Sequence, residues 1–573
     1  MKATRSSAAA SRRRLFGLLL PILLLGVHFA LTFSAAEHDS GTLDEPPNLL
    51  AGHYLWKTGH YNIDREHPPL ARLIESLPLL FLPLETAVPD PDGSMPAYWP
   101  LSVEFLYENT VPADQMLMPA RCMVIGLTIL LGALLWWWGE RLFEAPSGLI
   151  ALLTFTFSPL ILAHGHLATT DLAIALAFPL ALFCLYHYVE HPGSWRAVVV
   201  GVGLGTALAT KGSAVVLLPT FLFILAWTWR GQPPSRKVFL QHVAFCLATA
   251  GLVIAAVYFG DLGAFLASVK EVLFHSAAGG LGDNYLLGRV SPNGWVAYFV
   301  VAFLLKTPIP FLALLATALL MLRGSPQREV VTLWLVFPSA LFLLVASLSD
   351  LQIGLRHLLP IFPLLCLIVG EVGGRLWRRK RLGLQLVLGF LALWMVVDAA
   401  RAHPHYIAYF NQLIGDPDSA IDYLADSNLD WGQELRHLED YLRNEDVSGI
   451  YLSYFGNADP EAYGIRYLPV YFKTSRPRWG DPSLDLRGES KALLAVSATH
   501  LQGVYQPGPE AFAWLAGHEP VAILGRSVFL FDLTDDEGAH RRLATIFRQQ
   551  GRPRLAEIET EWSEQLKSEA FSK

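Results

Sequence analysis

The sequence predicts a polytopic α-helical membrane protein of about 11 spans, followed by a C-terminal α/β domain outside the membrane. Hydrophobic residues make up 53% of the 573 residues and charged residues only 16%. Before residue 400 the apolar residues fall in runs of about 18 or more. After residue 400 the composition is that of a soluble domain. The predicted domains are therefore 1–400 and 401–573, and the net charge of -7 predicts no nucleic-acid partner.

Each apolar run is long enough for a helix that crosses about 30 Å of hydrocarbon. The runs begin near Leu15, Met116, Gly148, Leu172, Ala197, Ala214, Val238, Gly294, Val330, His357 and Leu382. The first run follows three arginines, so it is either a cleaved signal peptide or a retained anchor. Its apolar stretch of about 19 residues exceeds the usual signal core, which favours the anchor.

Basic loop residues predict the orientation. Loops on one side carry most of them, namely Arg141, Arg196, Arg230, Arg236, Lys237, Arg323, Arg328, Arg375, Arg378, Arg379, Lys380 and Arg381. The positive-inside rule places these loops and the N-terminus in the cytoplasm. The loop 37–115, several short loops and the C-terminal domain then share the outer face.

The two large outer segments have different patterns. In the first outer loop, residues 48–56 and 69–82 mix apolar and polar residues at helical spacing, as helices lying along a membrane do. In the C-terminal domain, strand-like runs occupy 449–454, 492–496 and 521–531. A helix ending near Arg443 follows Ser427 and Asp430, which stand at capping-box spacing.

Asp44-Glu45 comes about ten residues after the first run, where an outer active site would meet lipid headgroups. Asp44 followed by Glu45-Pro46-Pro47 is also a good helix start, with Asp as the cap. Two adjacent carboxylates can raise one another's pKa toward the range of a general base. Both a capping and a catalytic role are therefore open.

Three further polar segments stand at outer positions. His67-Pro68-Pro69-Leu70 starts a helix, where proline gives a structural explanation and substrate binding by His67 an alternative. Asp171 follows a very short turn, so it either caps the next span or binds a substrate hydroxyl. With His164 and His166 it could also help to bind a divalent metal, although this spacing is not diagnostic.

Cations at the outer ends of spans are more informative, because an ionisable group in hydrocarbon is costly unless it has a partner. Lys211 and the adjacent Arg356 and His357 lie at such ends. Lys306 should lie below the surface unless its span starts late or is broken. Snorkelling accounts for Lys211, although Lys211 and His357 are also candidates for substrate binding. Arg356 and Lys306 together favour binding of an anionic phosphate over pairing with acids.

Together these motifs resemble the bacterial, polyprenyl-phosphate-dependent members of the GT-C class, close to the family 39 glycosyltransferases that include the protein O-mannosyltransferases. The resemblance rests on Asp44-Glu45, Gly59-His60-Tyr61, His67-Pro68-Pro69-Leu70, Thr169-Thr170-Asp171, Lys306-Thr307-Pro308, Arg356-His357-Leu358-Leu359-Pro360 and Asp426-Ser427-Asn428-Leu429-Asp430-Trp431-Gly432-Gln433. It implies that Asp44, with Glu45 beside it, is the base that deprotonates the acceptor. It also implies that Arg356 and Lys306 hold the carrier phosphate, in an inner membrane.

The expected activity is inverting transfer of a sugar from a polyprenyl-phosphate donor to a protein, lipid or cell-wall glycan. A departing phosphate needs cations and an acceptor hydroxyl needs a carboxylate, so the residues fit this chemistry without the family name. The main rival is a transporter or flippase of lipid-linked sugars, which would need charges near the midplane and related halves. The candidates lie at one face instead. The sequence identifies no cofactor with certainty, and dependence on a divalent metal is open.

Overall fold

The computed structural model describes residues 2–86, 98–230, 234–275, 284–471, 480–481, 484–508 and 510–572. The described residues before 400 are mostly helical, because long apolar stretches satisfy their backbone groups within the helix. The helices are α1 (Lys2–His38), α2 (Glu45–Thr58), α3 (Leu70–Ser76), α4 (Tyr98–Tyr107), α5 (Ala113–Phe143), α6 (Ser147–Thr156), α7 (Pro159–His164), α8 (Thr170–Glu190), α9 (Ser194–Thr210), α10 (Leu217–Thr228), α11 (Arg236–Val257), α12 (Leu262–His275), α13 (Tyr298–Lys306), α14 (Ile309–Met321), α15 (Arg328–Val330), α16 (Phe337–Ser347), α17 (Phe362–Arg378) and α18 (Leu382–Ala402). Between α12 and α13 lies an antiparallel hairpin of β1 (Asn284–Leu286) and β2 (Arg289–Ser291).

Six helices among the described residues are long and apolar enough to cross a membrane, or seven if one bent pair is a single span. The six are Gly17–His38, Ala113–Phe143, Thr170–Glu190, Arg236–Val257, Arg328–Ser347 and Leu382–Ala402. Three shorter apolar helices are Ser147–Thr156, Ser194–Thr210 and Gly212–Thr228. The multi-pass prediction is confirmed, and the count of about 11 spans stays a prediction.

The bent pair explains the position of Lys306. Helix α13 ends at Lys306, and the chain turns by 120° before α14 continues it. Thr307 is extended, as the residue before a proline usually is, and Pro308 cannot donate a helical hydrogen bond. The expected break in this span is therefore present. Lys306 stands at the end of a helix instead of in its middle.

Asn411 satisfies the carbonyl groups that the break leaves without helical donors. Its backbone N–H donates to Leu305 O at 2.8 Å, and its side-chain Nδ2 donates to Leu304 O at 2.6 Å and to Thr307 O at 2.7 Å. A break at membrane depth is tolerated only where such donors replace the lost ones. The segment after α18 thus stabilises the broken span.

Glycines allow the closest helix contacts in the bundle. A Cβ on Gly148 would lie 2.1 Å from Trp136 O, and one on Gly139 would lie 2.7 Å from Gly148 Cα. Helices α5 and α6 therefore touch backbone to backbone. Small residues at such contacts are typical of membrane helices, whose association depends on close packing.

The first outer loop contains helices in both predicted places. Helix α2 ends at Gly59, whose φ of 71° suits glycine, and α3 continues as a 3-10 turn, Leu77–Phe81. Arg72 Nε donates to Asn48 Oδ1 at 2.8 Å and joins the two helices. Residues Glu45–Leu55 of α2 are buried throughout, so α2 is enclosed by protein instead of burying only one face. The loop is a packed unit over one end of the bundle.

The C-terminal region contains a five-stranded mixed sheet, which confirms a sheet-containing region after the helices. Its strands are β3 (Ile450–Ser453), β4 (Tyr467–Pro469), β5 (Leu493–Ser497), β6 (Ala522–Leu524) and β7 (Val528–Asp532), in the order β4-β3-β5-β7-β6. Its helices are α19 (Leu435–Asn444), α20 (Ala498–Leu501), α21 (Glu537–Gln549) and α22 (Pro553–Ser572). The prediction missed β4, which is only three residues long and ends in proline.

The predicted capping box is wrong. Helix α19 begins at Leu435, and its first backbone N–H donates to Ser40 Oγ at 3.1 Å. Ser40 belongs to the loop after α1, so a distant residue performs the capping. Ser427 and Asp430 bind elsewhere, as described below.

We expect Gly148→Val to lower the unfolding temperature in detergent, because the side chain would overlap the α5 backbone. Overpacking of this kind costs about 1–3 kcal/mol. Gly126→Val, on the same helix α5 as Gly139, is the control, since its added Cβ would meet nothing within 4 Å. Equal unfolding temperatures for the two variants would contradict the proposed backbone contact.

Candidate active site

A chain of four charged side chains lies where the outer loop, the bundle and the C-terminal region meet. Arg356 Nη1 donates to Asp44 Oδ2 at 2.9 Å and to Asp171 Oδ2 at 3.2 Å. Lys211 Nζ donates to Asp171 Oδ1 at 2.5 Å. The structure thus brings together Asp44, Asp171, Lys211 and Arg356, which are far apart in the sequence.

Asp44 is the accessible carboxylate of this chain. Its side chain is 27% exposed, whereas those of Asp171 and Arg356 are 1% and 7% exposed. Asp44 precedes α2, but its side chain makes no capping hydrogen bond. Of the two roles open to it, capping is therefore absent. The carboxylate is held by one cation and can accept a proton from an incoming hydroxyl.

Glu45 points the opposite way, into the protein. Its carboxylate accepts two hydrogen bonds from Arg121, at 2.7 and 2.8 Å, and others from the backbone N–H groups of Thr42 and Ala168. Burial alone would raise the pKa of Glu45, but the Arg121 charge and these donors bring it below its usual value. Both oxygens of the Glu45 carboxylate thus accept hydrogen bonds, and these bonds fix the position of its neighbour Asp44. A catalytic role for Glu45 itself remains a prediction that this geometry does not favour.

Lys306 lies near Arg356 and is held in a different way. Its Nζ donates to the backbone carbonyls of Ile407, at 2.7 Å, and Asn428, and lies 4.5 Å from the centre of the Phe410 ring. Among the described residues no carboxylate forms an ion pair with it. A buried ammonium group without an acidic partner is costly, so binding of an anion beside Lys306 would favour its charged form.

The segment 426–431 forms one wall of the site. Ser427 Oγ accepts from Arg356 Nε at 3.0 Å, and the Trp431 ring lies under the guanidinium, 4.2 Å away. Asn428 Oδ1 accepts from Leu355 N at 2.9 Å. Sequence reasoning named this motif but assigned its serine to a helix cap. The sequence signal for this role was a run of short polar residues with one tryptophan. This run lacks the apolar periodicity of a helix.

A small cavity joins the two cations. It is lined by His164, Lys306, Arg356, Tyr406, Ser427 and Asn428, among others, and its volume is about 10 Å³. His164 Nδ1 and the Tyr406 hydroxyl are buried and have no hydrogen-bond partner. Unsatisfied buried donors are rare. Their presence beside Lys306 and Arg356 indicates a place where anionic oxygen atoms can bind. The cavity fits about one water, so it would have to widen to hold such a ligand.

The histidine candidates are dispersed. Both ring nitrogens of His166 are occupied, Nε2 by Asp39 Oδ2 at 2.9 Å and Nδ1 by Leu162 O at 3.0 Å. The His164 ring packs against Trp431, and Asp171 faces its two cations. Within the described part of the chain, His164, His166 and Asp171 do not form a group with metal-binding spacing. They do not form such a group because each of these side chains has a different partner.

His67 and His357 flank the charged chain without joining it. His67 Nδ1 lies 3.4 Å from Asp64 Oδ2, an atom that also pairs with Arg72. His357 packs its ring against Phe299, with centroids 6.4 Å apart, and its Nε2 is buried without a hydrogen-bond partner. Substrate binding by both histidines stays a prediction.

Comparison with known proteins bears on this site. Residues 113–258 match the family model for dolichyl-phosphate-mannose-protein mannosyltransferase. The matched segment runs from α5 to the end of α11 and includes Asp171 and Lys211. No curated protein matches the chain.

Two solved structures of ArnT from Cupriavidus metallidurans are similar in arrangement. The form bound to undecaprenyl phosphate has 13% identity and a TM-score of 0.44, and the apo form has 14% identity and a TM-score of 0.47. Each match covers 89% of this chain and 97% of that protein. Both TM-scores lie below 0.5, where likeness alone does not establish a common fold.

We expect Asp430, which belongs to the site wall, to make stability depend on pH. Burial raises the pKa of Asp430 from 3.8 to about 7, even though it accepts from the backbone N–H groups of Thr499 and Gly432. A carboxyl group whose pKa is raised in the folded state stabilises that state while the group is protonated. This contribution to the free energy of unfolding is complete below the ordinary pKa and is lost as the pH rises to about 7. We expect Asp430→Asn to abolish this decrease in the free energy of unfolding with rising pH. For one group the decrease is at most ~1.4 kcal/mol per pH unit.

The measurement is the unfolding temperature of wild type and Asp430→Asn between about pH 5 and about pH 8. The difference between the two curves should move in favour of the variant as the pH rises. Asp440→Asn is the control, because Asp440 is exposed and pairs with Arg443 on the surface. Parallel curves for wild type and Asp430→Asn would show that Asp430 is already ionised across this range.

Proposed function

We propose that this chain is a membrane glycosyltransferase that moves a sugar from a polyprenyl-phosphate donor to an acceptor hydroxyl at the outer face of a bacterial inner membrane. The observation that carries the proposal is the accessible Asp44 carboxylate, held 2.9 Å from Arg356, beside the cavity that contains Lys306. The family match supports it, since dolichyl phosphate is itself a polyprenyl phosphate. The positive-inside pattern supports the outer face.

In the donor, the bond that breaks joins the anomeric carbon of the sugar to a phosphate oxygen. As that bond breaks, positive charge develops on the sugar and negative charge on the departing polyprenyl phosphate. Arg356 and Lys306 approach the cavity from different elements, so both can stabilise the departing phosphate. The lipid tail stays in the bilayer, which explains why the site opens from a helical bundle.

The acceptor hydroxyl attacks the anomeric carbon from the face opposite the phosphate. Asp44 takes the hydroxyl proton as the new glycosidic bond forms, and the electron pair of the old bond leaves with the phosphate oxygen. A single displacement inverts the anomeric configuration and needs no covalent enzyme intermediate. Asp171 does not compete for this role, because its carboxylate is buried between Arg356 and Lys211.

Arg356 therefore has partners on two sides with different functions. Asp171 and Ser427 fix the guanidinium from the buried side, and the Trp431 ring supports its face. A cation held in this way needs little reorganisation when phosphate charge develops. Asp44 binds the same guanidinium from the open side, so the base and the phosphate-binding group have a fixed relative position.

We expect Asp44→Asn to lower the transfer rate by about 10²- to 10⁴-fold, the usual contribution of a general base. The assay measures label from radiolabelled polyprenyl-phosphate sugars entering membrane extracts, with purified protein at equal folded yield. Donor binding should persist, because Arg356 and Lys306 remain. Asp114→Asn is the control, an exposed carboxylate of the same outer loop that pairs with Arg436.

Full activity in Asp44→Asn would move the base to Glu45 or Asp171. Absence of transfer by wild type with every donor, together with movement of labelled donor across vesicles, would favour the transporter. The product that carries the label also identifies the acceptor class.

Lys306→Met should weaken donor binding and raise the donor KM, because it removes an amino group that pairs with no carboxylate in the described part of the chain. A loss of about 10²-fold in kcat/KM is the scale for one such group. Lys57→Met, at an exposed position near the end of α2, is the control. A kcat/KM equal to that of Lys57→Met would remove Lys306 from the phosphate site.

A further inference from the structure

A second cluster of polar side chains lies outside the proposed active site, where α18 leads into the C-terminal region. His405 Nδ1 lies 2.9 Å from Glu434 Oε1, and His437 Nδ1 lies 2.8 Å from Glu434 Oε2. The ligand atoms of the three residues all lie within 4.8 Å of one another. Neither the transfer mechanism nor the sequence motifs use these residues.

Two elements supply the cluster. Glu434 and His437 stand three residues apart at the start of α19, so they share one helix face. His405 comes from the link between α18 and α19. The His405 and His437 rings are 4.6 Å apart between centroids, so both rings face the same carboxylate.

The protein encloses the carboxylate of Glu434 on its other sides. Its side chain is 0% exposed, whereas those of His405 and His437 are 29% and 23% exposed. A Cβ on Gly525 would lie 2.0 Å from the Glu434 carboxyl carbon. Gly525 has a φ of 52° in the turn between β6 and β7. Only glycine allows that turn to close over the carboxylate.

The contact between Glu434 and His437 is close but not an aligned hydrogen bond. Glu434 Oε2 and His437 Nδ1 are both buried without a hydrogen-bond partner, although 2.8 Å separates them. Either a proton on Nδ1 or a metal ion bound to both atoms satisfies a contact at this distance.

We propose that His405, His437 and Glu434 bind a divalent transition-metal ion of the zinc class. Two imidazole nitrogens and one carboxylate oxygen are a common zinc ligand set, with bonds of about 2.0–2.2 Å. Two ligands on such an ion lie about 3.3 Å apart. Each histidine nitrogen would have to move a few tenths of an ångström away from the carboxylate, and the ligand atoms all start within 4.8 Å of one another. The partial exposure of both imidazoles provides an entry path and room for water as the fourth ligand.

Two more histidines surround this position. The His38 ring at the end of α1 stacks on His437 at 6.3 Å, and it also lies 6.0 Å from the His403 ring. His403 Nε2 lies 3.1 Å from Ser34 Oγ of α1. A metal at Glu434 would thus lie between the end of α1, the link after α18 and α19. Its effect is to hold the C-terminal region against the bundle.

Among the residues that the structure describes, the other group with metal-binding spacing is Asp64, Glu66 and His67. Asp64 Oδ2 there already pairs with the buried Arg72. A cation would have to compete with that guanidinium, so this group is the weaker site. It must still be controlled for in any measurement of metal content.

The test uses the full chain in detergent, stripped with a chelator and titrated with Zn²⁺ alone. After desalting, wild type should retain one equivalent of zinc more than the His405→Ala/His437→Ala double variant. His518→Ala is the matched control, since His518 is partly exposed and pairs with Asp536 at 2.6 Å without a third ligand. It should retain the same zinc as wild type. All measurements are repeated with His67→Ala to remove the other group.

Equal zinc in wild type and the double variant would overturn the proposal. The unfolding temperatures in chelator establish whether the double variant is folded. If it is not, Co²⁺ titration of the wild type decides the question by itself. The visible absorption of a four- or five-coordinate nitrogen and oxygen site would support the proposal, and a spectrum of hydrated Co²⁺ alone would overturn it.

Discussion

The ion pair between Arg121 and Glu45 is the constraint on which the site depends. Arg121 donates five hydrogen bonds, two to Glu45 and three to the backbone carbonyls of Ala36, Asp39 and Ser40. A guanidinium has five N–H groups, so all are used. Removing one partner of such a buried pair costs roughly 3–5 kcal/mol. The pair fixes the chain from the end of α1 to the start of α2, and with it Asp44.

The same loop also fixes the C-terminal region. Ser40 donates to Gly432 O at 2.8 Å and caps α19, and Leu43 N donates to Trp431 O at 3.0 Å. These contacts place Trp431 under Arg356. The position of the proposed phosphate-binding cation therefore depends on a connected set of backbone contacts that starts at Arg121. Electrostatic preorganisation here is a property of the loop packing and not of the cation alone.

Much of this arrangement follows from sequence patterns. Apolar runs gave the membrane bundle, and the cost of buried charge singled out Lys306 and Arg356. The isolation of Lys306 in its run predicted a span that starts late or is broken, and Lys306-Thr307-Pro308 is where the break lies. Local sequence also contained Asp44 beside two prolines. These features are predictable because each depends on a residue and its near neighbours.

Other features depend on distant contacts and had no local signal. Ser40 caps a helix that begins about 400 residues later, which no spacing rule covers. Glu45 is distinguished from Asp44 only by Arg121, on another helix. Asn411 satisfies a break more than 100 residues earlier, and Ser427 serves Arg356 instead of its own helix. In each case tertiary pairing overrides a plausible local role, because side-chain oxygen and amide groups suit many partners.

The wall formed by residues 426–431 affects how this architecture can change in evolution. Since the C-terminal region completes the surroundings of Arg356, the boundary near residue 400 separates two kinds of composition but not two functions. A relative could exchange the far strands of its sheet freely. Exchange of the segment that follows α18 would have to preserve both the helix break at Lys306 and the support of Arg356. Recombination between such proteins should therefore be tolerated beyond α19 and selected against before it.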